Sequence, residues 1–129
     1  MSGKFITFEG PEGSGKSTQI KLLVEKLEQQ GIEITCTREP GGTATGEQIR
    51  NLLQHDAAGE PLCDRAELLL FTASRAQLMD RVILPTLGNG DWVLCDRFID
   101  STMAYQGYAR GMDLSTLDSI NNFAIYDRM

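Results

Sequence analysis

Apolar and polar positions along this chain alternate between two rhythms. Residues 4–9, KFITFE, place Phe5, Ile6 and Phe8 in a short apolar segment and predict a strand. Over residues 16–30 the period lengthens. Ile20, Leu23, Val24 and Leu27 recur at three- and four-residue spacing, which predicts a helix stopped by Gly31. Ile32, Ile34 and Cys36 then alternate with polar residues as a second strand, followed by a loop, REPGGT. Ile49, Leu52 and Leu53 give one apolar face to a helix over residues 47–55. A longer helical pattern runs from residue 64 to about 84, where Pro85 is expected to kink or end it. GNGD reads as a turn, WVLCD as a continuously apolar strand and STLDSINNFAIY as a last helix. Strands alternating with helices of this length predict an α/β fold, a parallel sheet with helices on both faces and right-handed crossovers. Three strand patterns are few for such a sheet.

The sharpest local feature sits between the first strand and the first helix. Residues 10–17, GPEGSGKS, fit GxxxxGK[ST] at every specified position, and the strand-before, helix-after context is the one that motif requires. Glycines there let backbone N–H groups turn inward around phosphate oxygens, and the helix N-terminus adds its positive end. In such a loop Lys16 reaches the β- and γ-phosphates and the Ser17 hydroxyl holds Mg²⁺. This predicts a nucleotide site.

A GTPase is the obvious rival, because DAAG at residues 56–59 matches DxxG. That tetrad follows the end of an amphipathic helix, with no apolar strand leading into it, and no NKxD for guanine occurs in the chain. Two later segments point elsewhere. In LLLFTASRAQL, Phe71 and Arg75 stand four residues apart on one helical face. They could stack on a planar base and bond its edge, or be simply a core aromatic and a solvated cation. VLCDRF puts Asp96 and Arg97 where an apolar strand ends, the region where open α/β sheets bind ligands. The pair suits Mg²⁺ and phosphate charge, and equally an ordinary surface ion pair.

Composition narrows the picture further. With 129 residues the chain has the length of one domain, and its 41% hydrophobic and 23% charged content is ordinary for a soluble globular protein. A net charge of −6 argues against nucleic acid as a partner, and no apolar run or leader segment suggests a membrane or export. Cys36, Cys63 and Cys95 are odd in number and widely spaced, so they read as reduced structural thiols of a cytoplasmic protein. His55 has neither triad nor metal spacing around it and reads as a surface residue.

FEGPEGSGKST, TREPGGT, LLFTASR and DRFIDSTMAYQG occur in the order and spacing of bacterial-type thymidylate kinases, which this chain resembles from residue 4 to about residue 126. The resemblance implies the P-loop nucleoside monophosphate kinase fold and transfer of a phosphoryl group from ATP to dTMP. Another nucleoside or nucleotide kinase of the P-loop class is the alternative, as is a truncated nucleotide-binding chain with little activity. By the resemblance, Gly10, Pro11, Glu12, Gly13, Ser14, Gly15, Lys16, Ser17 and Thr18 bind ATP, and Glu12 also contacts the deoxyribose. Phe71 stacks on thymine and Arg75 bonds its edge. Arg50 and Arg97 meet the acceptor phosphate, Glu39 and Pro40 line its pocket, and Thr102, Tyr105 and Gln106 complete the nucleoside contacts. Lys16, Arg97 and Asp96 are the expected catalytic residues, and Ser17, Asp96 and Glu9 the expected surroundings of Mg²⁺. Phe98 replaces the tyrosine usual after the Asp-Arg pair. The resemblance further implies a homodimer for the complete enzyme. It makes residues 1–129 one kinase domain that stops before two further strands and the mobile lid, so that only about three of five strands are expected here.

Overall fold

The computed structural model describes residues 3–9, 15–54, 57–97, 111 and 113–126. The predicted strands form one parallel sheet in which the last strand in sequence lies in the middle. β1 (Phe5–Phe8) pairs with β3 (Trp92–Asp96), Phe5 opposite Val93 and Phe8 opposite Asp96. β2 (Ile34–Arg38) takes the other side of β3, Ile34 opposite Trp92 and Arg38 opposite Asp96, giving the order β1-β3-β2. The central position explains the sequence of β3. Val93, Leu94 and Cys95 are all buried, as expected for a strand covered on both faces, whereas β2 buries none of its residues fully and half-buries only Ile34 and Thr37.

Register assigns the two faces. Val93 and Cys95 point with Phe5 toward Leu78, Met79, Ile83 and Ile125, which form the main core. Leu94 and Asp96 point the opposite way, toward α1 (Lys16–Gln29). That helix buries Leu27, half-buries Ile20, Leu23 and Val24, and ends before Gly31 as its pattern predicts.

Besides the trimming of the first strand to Phe5–Phe8 and the shift of the last helix to Leu114–Ala124, three boundaries differ from the sequence reading. β2 starts at Ile34, not at Ile32. α2 (Ala44–Gln54) begins three residues earlier than the apolar face implies. Its first turn is held by the Thr43 hydroxyl, which accepts from the Gly46 N–H at 2.8 Å, while the Thr43 carbonyl accepts from Glu47 N–H at 2.8 Å. A Cβ on Gly46 would stand 2.7 Å from the Gly41 carbonyl oxygen, so glycine here allows helix and loop backbones to touch.

The third difference concerns Pro85. α3 (Asp64–Leu78) does not end there but passes into a π-helical turn, Met79–Ile83, and then α4 (Leu84–Gly88). The Leu84 N–H bonds to the Met79 carbonyl, five residues back. The wider turn resets the bonding so that Pro85 falls in the first turn of α4, where no N–H is required. α5 (Leu114–Ala124) is capped by Asp113, whose carboxylate accepts from the Thr116 N–H at 3.2 Å, and it packs against α3.

Candidate active site

The carboxyl ends of the strands carry Phe8, Asp96 and Arg38 in one row, and α1 begins above them. Gly15, at φ 84°, makes the turn into α1, and among the described residues no side-chain hydrogen bond caps that helix. Lys16 is 7% exposed, with its Nζ 2.6 Å from Asp96 Oδ1. A lysine this enclosed needs a counter-charge, and Asp96 supplies it. The two predicted catalytic residues are therefore brought together, although Asp96 pairs with Lys16 where the sequence suggested Arg97. Ser17, Thr37, Arg38, Glu47 and Asp96 share the walls of one cleft of about 490 Å³, which Cys36 also lines. Arg97 leaves β3 at φ 66°, unusual for a residue with a side chain. Its conformation is fixed by an N–H donated to the Phe8 carbonyl at 2.8 Å and by its carbonyl accepting from Cys95 Sγ at 3.3 Å. A left-handed arginine of this kind costs about 1–3 kcal/mol, and such strain concentrates at functional positions.

The REPGG loop stands beside this cleft, tied by α3 and α2, with α5 bracing one of the tying residues. From α3, the Arg75 guanidinium donates to Glu39 through Nε at 2.8 Å and Nη2 at 2.6 Å, and the Ser74 hydroxyl accepts from Gly41 N–H at 3.0 Å. From α2, Arg50 Nη1 donates to the Pro40 carbonyl at 3.0 Å. Also from α2, Glu47 accepts from Gly42 N–H at 2.8 Å and from Arg38 Nη2 at 2.6 Å. From α5, Asn121 Oδ1 accepts from Arg75 Nη1 at 2.5 Å. The Glu39–Pro40 peptide is cis. Gly42 lies at φ 84°, and a Cβ there would meet Thr37 Oγ1 at 2.3 Å and Leu78 Cδ1 at 2.7 Å, which excludes side chains from this turn.

Electrostatics separate Glu39 of this loop from Glu47 of α2, which holds it. Burial pushes the Glu39 carboxyl up, the Arg75 charge and hydrogen bonds pull against it, and the nearby Glu9 carboxylate adds to the rise. The hydrogen bond from Arg38 holds Glu47 below the ordinary carboxylate value, assisted by the Gly42 N–H. Burial raises the Cys95 thiol strongly, and burial with Glu28 raises Cys36. Cys63 accepts from Ala66 N–H at 3.4 Å as the cap of α3, so two of the three thiols have identifiable structural places.

Of the predicted acceptor-side residues, Glu39, Pro40, Arg50 and Arg75 converge on the loop, and Phe71 is half-buried one turn before Arg75 on α3. The solvated alternative for Arg75 is excluded, since it is 1% exposed. Glu9 follows β1 near Glu39, and Thr18 is exposed in the first turn of α1. Gly10, Pro11, Glu12, Gly13, Ser14, Thr102, Tyr105 and Gln106 lie outside the described residues, as do His55 and Phe98. Sequence reasoning missed Glu47, Ser74 and Asn121. A signal existed for Asn121, because it shares a buried helical face with Leu117 and Ile125, and a polar residue on an apolar stripe needs a partner.

Comparisons with known proteins identify the family to which this fold belongs. The thymidylate kinase family model matches residues 8–128. A thymidylate kinase of Pelotomaculum thermopropionicum is 58% identical over 121 residues, which cover 94% of this chain and 56% of that protein. One from an Exiguobacterium species is 55% identical, with 96% and 58% covered. The crystal structure of thymidylate kinase from Ehrlichia chaffeensis superposes with a TM-score of 0.85 at 48% identity, over 95% of this chain and 70% of that one. The chain thus spans little more than half the length of the curated relatives it matches. By the family model, the identity to these relatives and the shared fold, the chain belongs to the thymidylate kinase family.

Proposed function

We propose that this chain carries the P-loop and most of the acceptor pocket of an enzyme that transfers a phosphoryl group from ATP to dTMP, giving dTDP and ADP. The observation that carries the reading is the placement of Lys16. Its ammonium is buried at the carboxyl ends of the strands, on Asp96, beside a cleft bounded by Ser17 and Arg38. A phosphate monoester has a second pKa near ~6, so the attacking oxygen of dTMP is mostly deprotonated at neutral pH and needs no general base. Catalysis then reduces to alignment and positive charge, which Lys16 and Arg97 supply. Arg50 and Arg97 take the acceptor phosphate, Phe71 stacks on thymine, and Arg75 bonds its edge. Glu39 and Pro40 shape the pocket, and Glu12, Thr102, Tyr105 and Gln106 contribute the remaining nucleoside contacts. Gly10 to Thr18 cradle the ATP phosphates.

Mg²⁺ belongs to this reading. The Ser17 hydroxyl and Asp96 carboxylate face one cleft and are hard oxygen donors of the type that cation takes, with Glu9 nearby at the end of β1. When bound, Mg²⁺ neutralises phosphate charge. Among the described residues no helix is long and apolar enough to cross a membrane. With the acidic charge and unpaired thiols, this supports a cytoplasmic protein that binds small nucleotides and not nucleic acid. Leu69 and Phe123, both exposed, flank an apolar groove between α3 and α5, which supports homodimer formation.

Titration with dTMP, dUMP, dGMP and AMP, alongside dTMP-dependent release of ADP from Mg-ATP, tests the reading. Thymine nucleotide should bind best, because a purine would collide with a pocket sized for one ring. Equal or tighter binding of a purine nucleotide would overturn the assignment.

A further inference from the structure

Arg75 is held from two elements distant in sequence. Glu39 engages the Nε and Nη2 side of the guanidinium, and Asn121, 3% exposed on α5, accepts from Nη1. A fork-on-fork pair with a carboxylate defines the plane of a guanidinium. It does not stop both side chains from sliding together, because each ends a flexible stem. A third contact from a separate helix removes that freedom. Asn121 is well placed to provide it, since Leu117 and Ile125 on the same face are fully buried and leave α5 little room to shift. The choice of an amide also has a chemical reason. A second carboxylate here would crowd negative charge around Glu39, in a site that already holds one buried acid and one buried cation. An amide oxygen accepts the hydrogen bond without altering that balance.

We propose that Asn121 is a positioning residue for base selection: its side-chain oxygen fixes the Arg75 guanidinium in the orientation from which Arg75 recognises the carbonyl edge of a pyrimidine. This inference rests on the dTMP reading above. It makes α5, whose other buried residues serve packing, a determinant of which base is accepted.

The test compares dTMP with dCMP, which presents an amino donor where thymine presents a carbonyl acceptor, in steady-state kinetics of the natural protein carrying this chain. Asn121→Leu removes the acceptor at similar volume. It should raise KM for dTMP about tenfold, the scale of one charge-assisted hydrogen bond, with kcat changed by less than about threefold. The preference for dTMP over dCMP should fall by a similar factor. Asn121→Asp keeps an oxygen acceptor and, despite the added charge, should keep more of the preference than Asn121→Leu. If Asn121→Leu does not fold, Asn121→Ser, too short to reach the guanidinium, takes its place with the same expectation. A folded variant that lacks the acceptor yet keeps the parent preference overturns the positioning role while leaving the dTMP reading intact. So does a loss confined to kcat and equal for both substrates. A parent protein that does not prefer dTMP to dCMP overturns both.

Discussion

The two halves of the cleft are built on different plans. On the acceptor side, residues 38–42 are enclosed by contacts from α2 and α3: Glu39 on Arg75, Gly41 on Ser74, Gly42 on Glu47 and Pro40 on Arg50. At the other end, α1 begins at Gly15, and among the described residues no side chain caps it, whereas α3 and α5 are capped by Cys63 and Asp113. A helix end that keeps its N–H groups clear of side-chain caps is one that phosphate oxygens can satisfy. The difference teaches that the 38–42 loop is tied by the protein's own residues while the start of α1 is not held in that way, and under the function proposed above a nucleotide would complete that end.

Removing one partner from the acceptor side should produce the largest effect. Glu39→Ala leaves the Arg75 guanidinium buried without its carboxylate and should cost about 3–5 kcal/mol of stability, measured by denaturant unfolding. A loss below ~1 kcal/mol would mean that the loop is not held by this pair. The donor side should respond in the opposite manner. Asp96 is about one-third exposed, so it can be hydrated once its partner is gone, and Lys16→Ala should leave unfolding nearly unchanged. Turnover should nevertheless fall roughly 10²–10³-fold, by analogy with loss of a preorganised donor. Turnover within a few-fold of the parent, assayed as dTMP-dependent ADP release, would remove Lys16 from the reaction.

The smallest effect sharpens the comparison within the acceptor loop. Glu47 is held below the ordinary carboxylate value of ~4.3, so its contribution is fully present above that pH and is lost as pH falls through its folded value. The stability difference between the parent and Glu47→Gln should therefore grow as pH rises from about 3 to 6. Both Arg38 and Glu47 are close to half exposed, so the difference should stay under about 1 kcal/mol and shrink in salt. A difference that does not change with pH would show that the carboxylate charge is irrelevant to the loop.

What the sequence disclosed and what it concealed divide along similar lines. The start of α1 at Lys16 and the run Trp92–Asp96 are local patterns, and the structure places them as read. The link from Glu39 to Arg75 to Asn121 joins three segments far apart in the chain, and no local rhythm encodes it. Arg75 looked like either a base reader or a solvated cation because its burial depends on a loop and a helix from elsewhere. Of the two effects expected of Pro85, a kink or an end, the end does not occur, and for a different reason. Its effect was predicted for a uniform α-helix, and the π-helical turn ahead of it changes which N–H groups the helix needs. The start of α2 was concealed by Gly46, which weakens a helical pattern but here lets two backbones meet.

The order β1-β3-β2 has a consequence for how the molecule is made. Among the described residues β1 and β2 are not neighbours and each pairs with β3 alone, so Phe5 must find Val93 and Ile34 must find Trp92 across most of the intervening chain. During synthesis both early strands therefore wait, unpaired within this sheet, until residues 92–96 have emerged. Closing such long loops is slow compared with forming the helices between them, so helix formation should run ahead of sheet assembly. The arrival of one five-residue segment then commits both flanking strands together, and the sheet forms as a single late event.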